Sequence, residues 1–229
     1  MRERDKIMGR IRAALRSPAP RPGAHGAVAH TLPAGTASAG SIQQWLPPGG
    51  ETFAEQVEHF RARSTELKTD FQMLASVEEA LAKLAKIADA EKWRRVATHQ
   101  GELPTAIVSR LGLPVLNTTG GYDVHELEAC DAGITACEAL VAQTGSVIVT
   151  SRDSGGRALS VLPPHHVVLA RREQLVRDLS AGFDRVRTKY AANYPSMISV
   201  VTGPSRTGDI ERILVLGAHG PKKLTILCW

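Results

Sequence analysis

The chain has little of what usually announces a cofactor. Cysteine occurs three times in 229 residues, as Cys130, Cys137 and Cys228. No two stand at C-x-x-C spacing and the number is odd, which argues against a disulfide framework and against a zinc or iron–sulfur site held by this chain alone. A reducing cytoplasm is the default compartment. Aromatic residues make up 4% against an apolar fraction of 43%, so the core must come from Ala, Val, Ile and Leu. No run approaches the ~18 consecutive apolar residues of a membrane span. The apolar stretch that a secretory signal places behind its basic start is also missing. G-x-x-x-x-G-K-S/T, G-x-G-x-x-G after a strand, H-E-x-x-H and G-x-S-x-G are all absent, and with them the usual phosphate-loop, dinucleotide, metalloprotease and nucleophile-elbow chemistry.

What is present begins with charge. The net charge of +5 hints at nucleic acid until it is located. Residues 1–22 hold seven Lys/Arg and two acids, and the remainder carries 21 of each sign. A nucleic-acid-binding body is expected to keep a basic face of its own. The high isoelectric point belongs to the tail, and nucleic-acid binding by the main domain is not expected.

Three segments follow. Residues 1–16 read as a short basic helix with Ile7, Ile11 and Leu15 on one stripe, suited to packing on the body or on a second copy of the chain in a homo-oligomer. A membrane-surface or partner-docking role is the alternative. Residues 17–50 hold six prolines, six glycines and one charged side chain, Arg21, and read as an extended linker. From residue 51 to 229 helical and strand periods alternate. Phe53, Val57 and Phe60 share one helical face, and Val77, Leu81, Leu84 and Ile87 another. Strands are expected at 94–98, 115–116, 139–142, 146–150, 158–162, 166–170, 197–202 and 224–228, with helices at 106–111 and 173–190. This is an α/β pattern, a mostly parallel sheet with helices on both faces. The close succession of strands between 131 and 170 suggests an added antiparallel portion.

The segment with most chemistry is Gly203-Pro204-Ser205-Arg206-Thr207-Gly208-Asp209-Ile210-Glu211. Ser205 and Thr207 are placed to cap a short helix, with Asp209 and Glu211 in its first turn. In open α/β sheets ligands bind outside the carboxyl ends of strands, where this loop is expected to lie. Arg206 adds a planar fork for carboxylate or phosphate. The plainer alternative pairs Arg206 with Asp209 or Glu211. In Gly217-Ala218-His219-Gly220-Pro221, His219 is either a general acid/base or a residue that fixes its loop. Thr144 and Gly145 form a turn whose polar atoms line a pocket or only the turn. His165 and His166 fall on opposite faces of a regular strand, which disfavours a shared metal and leaves one to face a ligand and the other solvent. Arg157 is an anion ligand or, more commonly, a solvated charge. By residue type alone the chain reaches an α/β domain with an anion-binding cleft and no assigned reaction.

A-Q-T-G-S-V-I-V-T-S at 142–151, L-P-P-H-H at 162–166, G-P-S-R-T-G-D-I-E at 203–211 and G-A-H-G-P at 217–221 together resemble the LutC/YkgG group of lactate-utilisation proteins, the LUD domain. Agreement is best from about residue 131 onward, and Gly208 departs from the alanine expected there. The resemblance implies a fold similar to the NagB/RpiA/CoA-transferase-like sheets, over residues 51–229. It also implies a part in oxidising L-lactate to pyruvate beside iron–sulfur partner subunits, with no cofactor bound by this chain alone. Thr144, Gly145, His165, Ser205, Arg206, Thr207 and Asp209 then become candidate ligands for a small carboxylate or phosphate, with Glu211 and His219 as catalytic candidates. Two other readings remain: a stand-alone enzyme on a small phosphorylated or CoA-linked metabolite, and a non-catalytic sensing or scaffold module.

Overall fold

The computed structural model describes residues 46–152, 154–155, 157–191, 193–207, 215–216 and 220–229, with Met8 and Arg12 besides. The chain divides into Met1–Trp45 and Leu46–Trp229, and the elements from Phe53 to Cys228 all lie in the second unit. The expected basic helix and most of the linker lie outside the described residues.

In chain order the elements are α1 (Phe53–Glu66), β1 (Asp70–Met73), α2 (Val77–Ala90), β2 (Val96–Thr98), α3 (Glu102–Val108), β3 (Val115–Asn117), α4 (Val124–Glu128), β4 (Ala132–Ala136), β5 (Ala139–Val141), β6 (Ser146–Thr150), β7 (His165–Ala170), β8 (Leu175–Val176), α5 (Leu179–Tyr190), β9 (Ile198–Val201), β10 (Arg206–Thr207), β11 (Val215–Leu216) and β12 (Lys223–Cys228). None of the helices described is long and apolar enough to cross a membrane. Helix starts follow side-chain chemistry. Thr52 and Glu55 form a reciprocal capping box at α1, and Ser76, Asp123 and Asp178 cap α2, α4 and α5.

Six strands form a parallel sheet in the order β1-β12-β7-β4-β2-β3. A second sheet, β8-β5-β6-β9, is antiparallel across β5–β6 and β6–β9. The mostly parallel architecture and the added antiparallel portion are both as expected. One face of the large sheet, through Val167, Leu169 and Leu227, packs on Leu84 of α2 and Ile107 of α3. The other, through Val168, Ile226 and Cys228, packs on Phe60 of α1 and on the smaller sheet. The outer face of that smaller sheet is covered by α5 through Val186 and Tyr190. Phe60 and Phe71 meet edge-on at 4.7 Å, a geometry that adds to the burial of both rings.

Several local expectations change. Residues 173–190 are not one helix. A short 3-10 turn, Arg172–Gln174, leads into β8, because Leu175 pairs with Leu140 of β5 and only Asp178 begins the helix. Residues 158–162 form turns rather than a strand, with Leu159 buried against Gly133 of β4. The helix expected at 106–111 starts earlier, at Glu102, and ends at Val108. β1 was not expected, since Phe71 is its one buried residue and so short an edge strand carries no clear alternation. His165 and His166 do face opposite sides of β7, but neither reaches open solvent, at 3% and 1% exposure.

Two predictions follow from this packing. A Cβ at Gly133 would collide with the main-chain oxygen of Leu159, which cannot swing away as a side chain can. Gly133→Ala should therefore cost about 1–3 kcal/mol, read from urea denaturation. A neutral urea midpoint would show that the 158–162 turns yield freely. The second concerns His166, whose Nε2 lies 2.9 Å from Thr135 Oγ1. Burial, and secondarily His165, pushes its pKa down to about 3, whereas an unfolded histidine titrates near about 6.5. Between those values the unfolded chain holds more protons, so stability is lost as pH falls. Calorimetry from pH 7 to 4 should show a steep fall in Tm. His166→Gln should start lower and have a flatter profile, and equal slopes would remove His166 as the cause.

Candidate functional site

The topology itself marks one end of the large sheet. From β2 the chain moves outward to β3, whereas from β4 it returns inward and next joins this sheet as β7. Since β2 and β4 are neighbours, their outgoing loops diverge and leave a crevice at their carboxyl ends, the usual ligand position in such sheets. His99 follows β2, and its Nε2 accepts a hydrogen bond from the Ala136 amide at 3.2 Å across the switch. That bond puts the ring proton on Nδ1, directed at the Gln100 carbonyl 3.1 Å away. The crevice has a volume of about 340 Å³ and adjoins a groove of about 750 Å³ along α5, the two sharing Gln174, Arg185 and Lys189.

Glu138 lies just past β4 and is the single charged side chain between Asp131 and Arg152. It is 4% exposed yet borders the groove. Its Oε1 accepts from Tyr190 at 2.6 Å and Thr150 at 3.1 Å, and its Oε2 faces Lys189 Nζ at 2.8 Å. A buried carboxylate is tolerable only when satisfied in this way. Arg185, one turn before Lys189 on α5, donates from Nε to the Glu138 carbonyl at 3.2 Å and from Nη1 to the Glu173 carbonyl at 2.9 Å. Two neutral acceptors hold the guanidinium without cancelling its charge, and no carboxylate pairs with it among the described residues. Arg171, by contrast, is joined to Glu102 at 2.5 Å. Cys137 also borders the crevice, but burial, with Cys228 and Glu138 adding to it, pushes its thiol far above the usual range. It is therefore no nucleophile. The arrangement offers a fixed cation for an organic anion beside a buried carboxylate.

The residues singled out in the sequence gather at the opposite end. Because β9 belongs to the smaller sheet, the loop after it does not lie at the carboxyl ends of the parallel strands. The Ser205 amide instead donates to the Pro221 carbonyl at 2.9 Å, just before β12 begins. Arg206 and Thr207 form a ribbon with Val215 and Leu216 rather than the start of a helix, because strand pairing replaces the capping expected of Ser205 and Thr207. The Arg206 guanidinium donates to the carbonyl of Leu67, the residue that closes α1. Gly145 (φ 66°) and Gly203 (φ 83°) also press against Leu67. Buried Thr144 Oγ1 has no hydrogen-bond partner. His165 sits nearby with Nε2 2.9 Å from Thr225 Oγ1, its ring perpendicular to that of Trp93. Its Nδ1 is 3.5 Å from Glu91 Oε2, outside hydrogen-bond geometry. Burial lowers its pKa, an effect that Glu91 partly offsets. Asp209, Glu211 and His219 lie outside the described residues.

Sequence reasoning missed His99, Glu138, Arg185 and Lys189. One signal was available, the lone acid in the apolar stretch 132–150. Glu138→Ala would remove the carboxylate that Tyr190, Thr150 and Lys189 share, and a hydrogen bond to a charged group contributes about 1.5–3 kcal/mol. Urea denaturation should show a loss of that order, and a smaller loss for Glu138→Gln, whose amide oxygen still accepts. Equal losses for both would show that the charge, not the acceptor, matters.

Residues 123–228 match the LUD domain family. The chain is 30% identical over 196 residues to lactate utilization protein C of Deinococcus radiodurans, covering 83% of this chain and 89% of that protein. It is 34% identical to lactate utilization protein C of Bacillus subtilis over 106 residues, 45% of this chain and 44% of that one. The match to its Halalkalibacterium halodurans namesake is 35% over 107 residues and 46% of each chain, so the alignment spans under half of both latter proteins. The crystal structure of a DUF162 family protein from Deinococcus radiodurans shares the fold, with a TM-score of 0.62 at 23% identity, covering 78% of this chain and 99% of that one.

Proposed function

The chain belongs to the lactate utilization protein C family, and from that premise we propose that it is a non-redox component of an L-lactate-oxidising system. In this reading it holds an organic anion in the switch-point crevice, while iron–sulfur partner subunits carry the electrons. The observation that carries it is Arg185, a guanidinium held by two carbonyls at the crevice and paired with no carboxylate among the described residues. Such a fork suits the carboxylate of a 2-hydroxy or 2-oxo acid. Three cysteines fall short of the four thiolates that hold a cluster, which supports assigning the clusters to partners. All three thiols are free and buried, which supports a reducing, cytoplasmic setting.

The groove along α5 favours a second reading. At about 750 Å³ it far exceeds a three-carbon acid, and clefts of roughly 300–1,000 Å³ usually take larger ligands. A phosphorylated or CoA-linked metabolite is the class of substrate that would use that room.

Co-expression with candidate iron–sulfur subunits, followed by affinity purification and lactate-dependent dye reduction, tests the first reading. The chain is expected to co-purify with them. Arg185→Ala should lower dye reduction by about tenfold or more, the loss of about 1.4 kcal/mol of binding. Absence of association, together with dye reduction unchanged when this chain is omitted, would refute the role.

A further inference from the structure

At the amino ends of β1, β7 and β12 lies a pocket of about 400 Å³ whose charges the fold does not balance. Its two carboxylates are already engaged. Glu91 Oε1 takes Lys223 Nζ at 2.5 Å, and Asp70 takes the Gln72 amide. Burial acts to raise the Glu91 pKa, but Lys223 and His165 outweigh it and hold the carboxyl below its ordinary range. Two further lysines line the same pocket, Lys68 and Lys222, and neither ammonium has a partner among the described residues.

The main chain holds both lysines in place. Lys68 has a left-handed backbone (φ 60°) directly after the Leu67 cap, and its amide donates to Thr65 O at 3.1 Å. The Lys222 amide donates to Pro164 O at 2.8 Å, which ties the start of β12 to the start of β7. The two ammonium groups thus extend from anchored main chain in the lining of the pocket. His165 also lines it, at 3% exposure, with a buried Nδ1 that has no hydrogen-bond partner. If the Thr225 hydroxyl donates to Nε2, the ring proton of neutral His165 lies on Nδ1, 3.5 Å from Glu91 Oε2 and outside hydrogen-bond geometry to it. Buried donors are rarely left unmet in folded proteins.

We infer that this pocket is a second binding site, separate from the switch-point crevice, for the oxyanion group of a small metabolite, either phosphate or carboxylate. Lys68 and Lys222 supply the charge and His165 Nδ1–H supplies a directional hydrogen bond. Lys223 neutralises Glu91, and Lys68 with Lys222 outweighs Asp70, whose hydrogen-bond partner among the described residues is the neutral Gln72 amide. The site accounts together for features that the crevice leaves unused: the buried imidazole, two lysines unpaired among the described residues, and the proximity of Pro204 in the Gly203–Arg206 segment to the start of β12.

Isothermal titration calorimetry on the full chain at constant ionic strength tests it, with inorganic phosphate and L-lactate as separate probes. Saturable heat that persists in Arg185→Ala is expected with at least one probe, and that probe identifies the source of the oxyanion, whereas lactate heat lost in Arg185→Ala reports the crevice. Replacing both Lys68 and Lys222 by Ala removes exposed, unpartnered side chains, so folding should be unaffected. Affinity should fall at least about tenfold. Arg185→Ala, at the other end of the sheet, should leave this binding intact. No saturable heat with either probe would overturn the inference. So would heat confined to the chain with Arg185 intact, or heat in Arg185→Ala that survives the further replacement of Lys68 and Lys222.

Discussion

Strand β7 is hydrogen-bonded to β12 on one side and β4 on the other, and all six of its residues are buried, so neither face of it meets water. A strand in that position needs a dry covering on both sides. Helices α2 and α3 cover one side, and α1 with the smaller sheet covers the other. With Val167 to Ala170 supplying the apolar interior, the polar residues of β7 are confined to its start. There the Nε2 atoms of His165 and His166 are met by Thr225 and Thr135 of the flanking strands. The low aromatic content is consistent with this core, which is largely Val, Ile, Leu and Ala at close spacing.

A parallel sheet buried in this way can present polar chemistry only at its two ends, and this one does so differently at each. At the carboxyl ends the diverging loops after β2 and β4 bring His99, Glu138 and α5 together, and Glu138 is stabilised by Tyr190, Thr150 and Lys189. At the amino ends the link between Pro164 and Lys222, and that between Pro221 and Ser205, gather loops from distant parts of the chain around Leu67 and His165. Family membership rests on the relation to lactate utilization protein C, and the matched segment 123–228 contains Glu138, Arg185, His165 and Arg206.

Much of this was legible along the chain. Phe60, Leu84 and the apolar run 166–170 announced core faces, whereas the cap at Asp178 was read through as helix interior. Residues 175–176 were not legible as a strand, because two residues gain their conformation only by pairing with Leu140 and Val141. The 203–207 segment was legible as special but was assigned to the wrong end, since nothing local says that β9 joins the smaller sheet. Glu138 and Lys189 are 51 positions apart, and no periodicity links them.

The sequence by itself determined the α/β class, the positions of most elements and the basic tail, because helix caps, side-chain periodicity and charge runs act over a few residues. The tertiary structure alone decided the strand order, the switch between β2 and β4 and the end of the sheet at which each loop emerges. Backbone hydrogen bonding is nearly the same for any pair of strands. The choice of neighbour is made by the packing of whole faces, and the composition of both candidate sites follows from that choice.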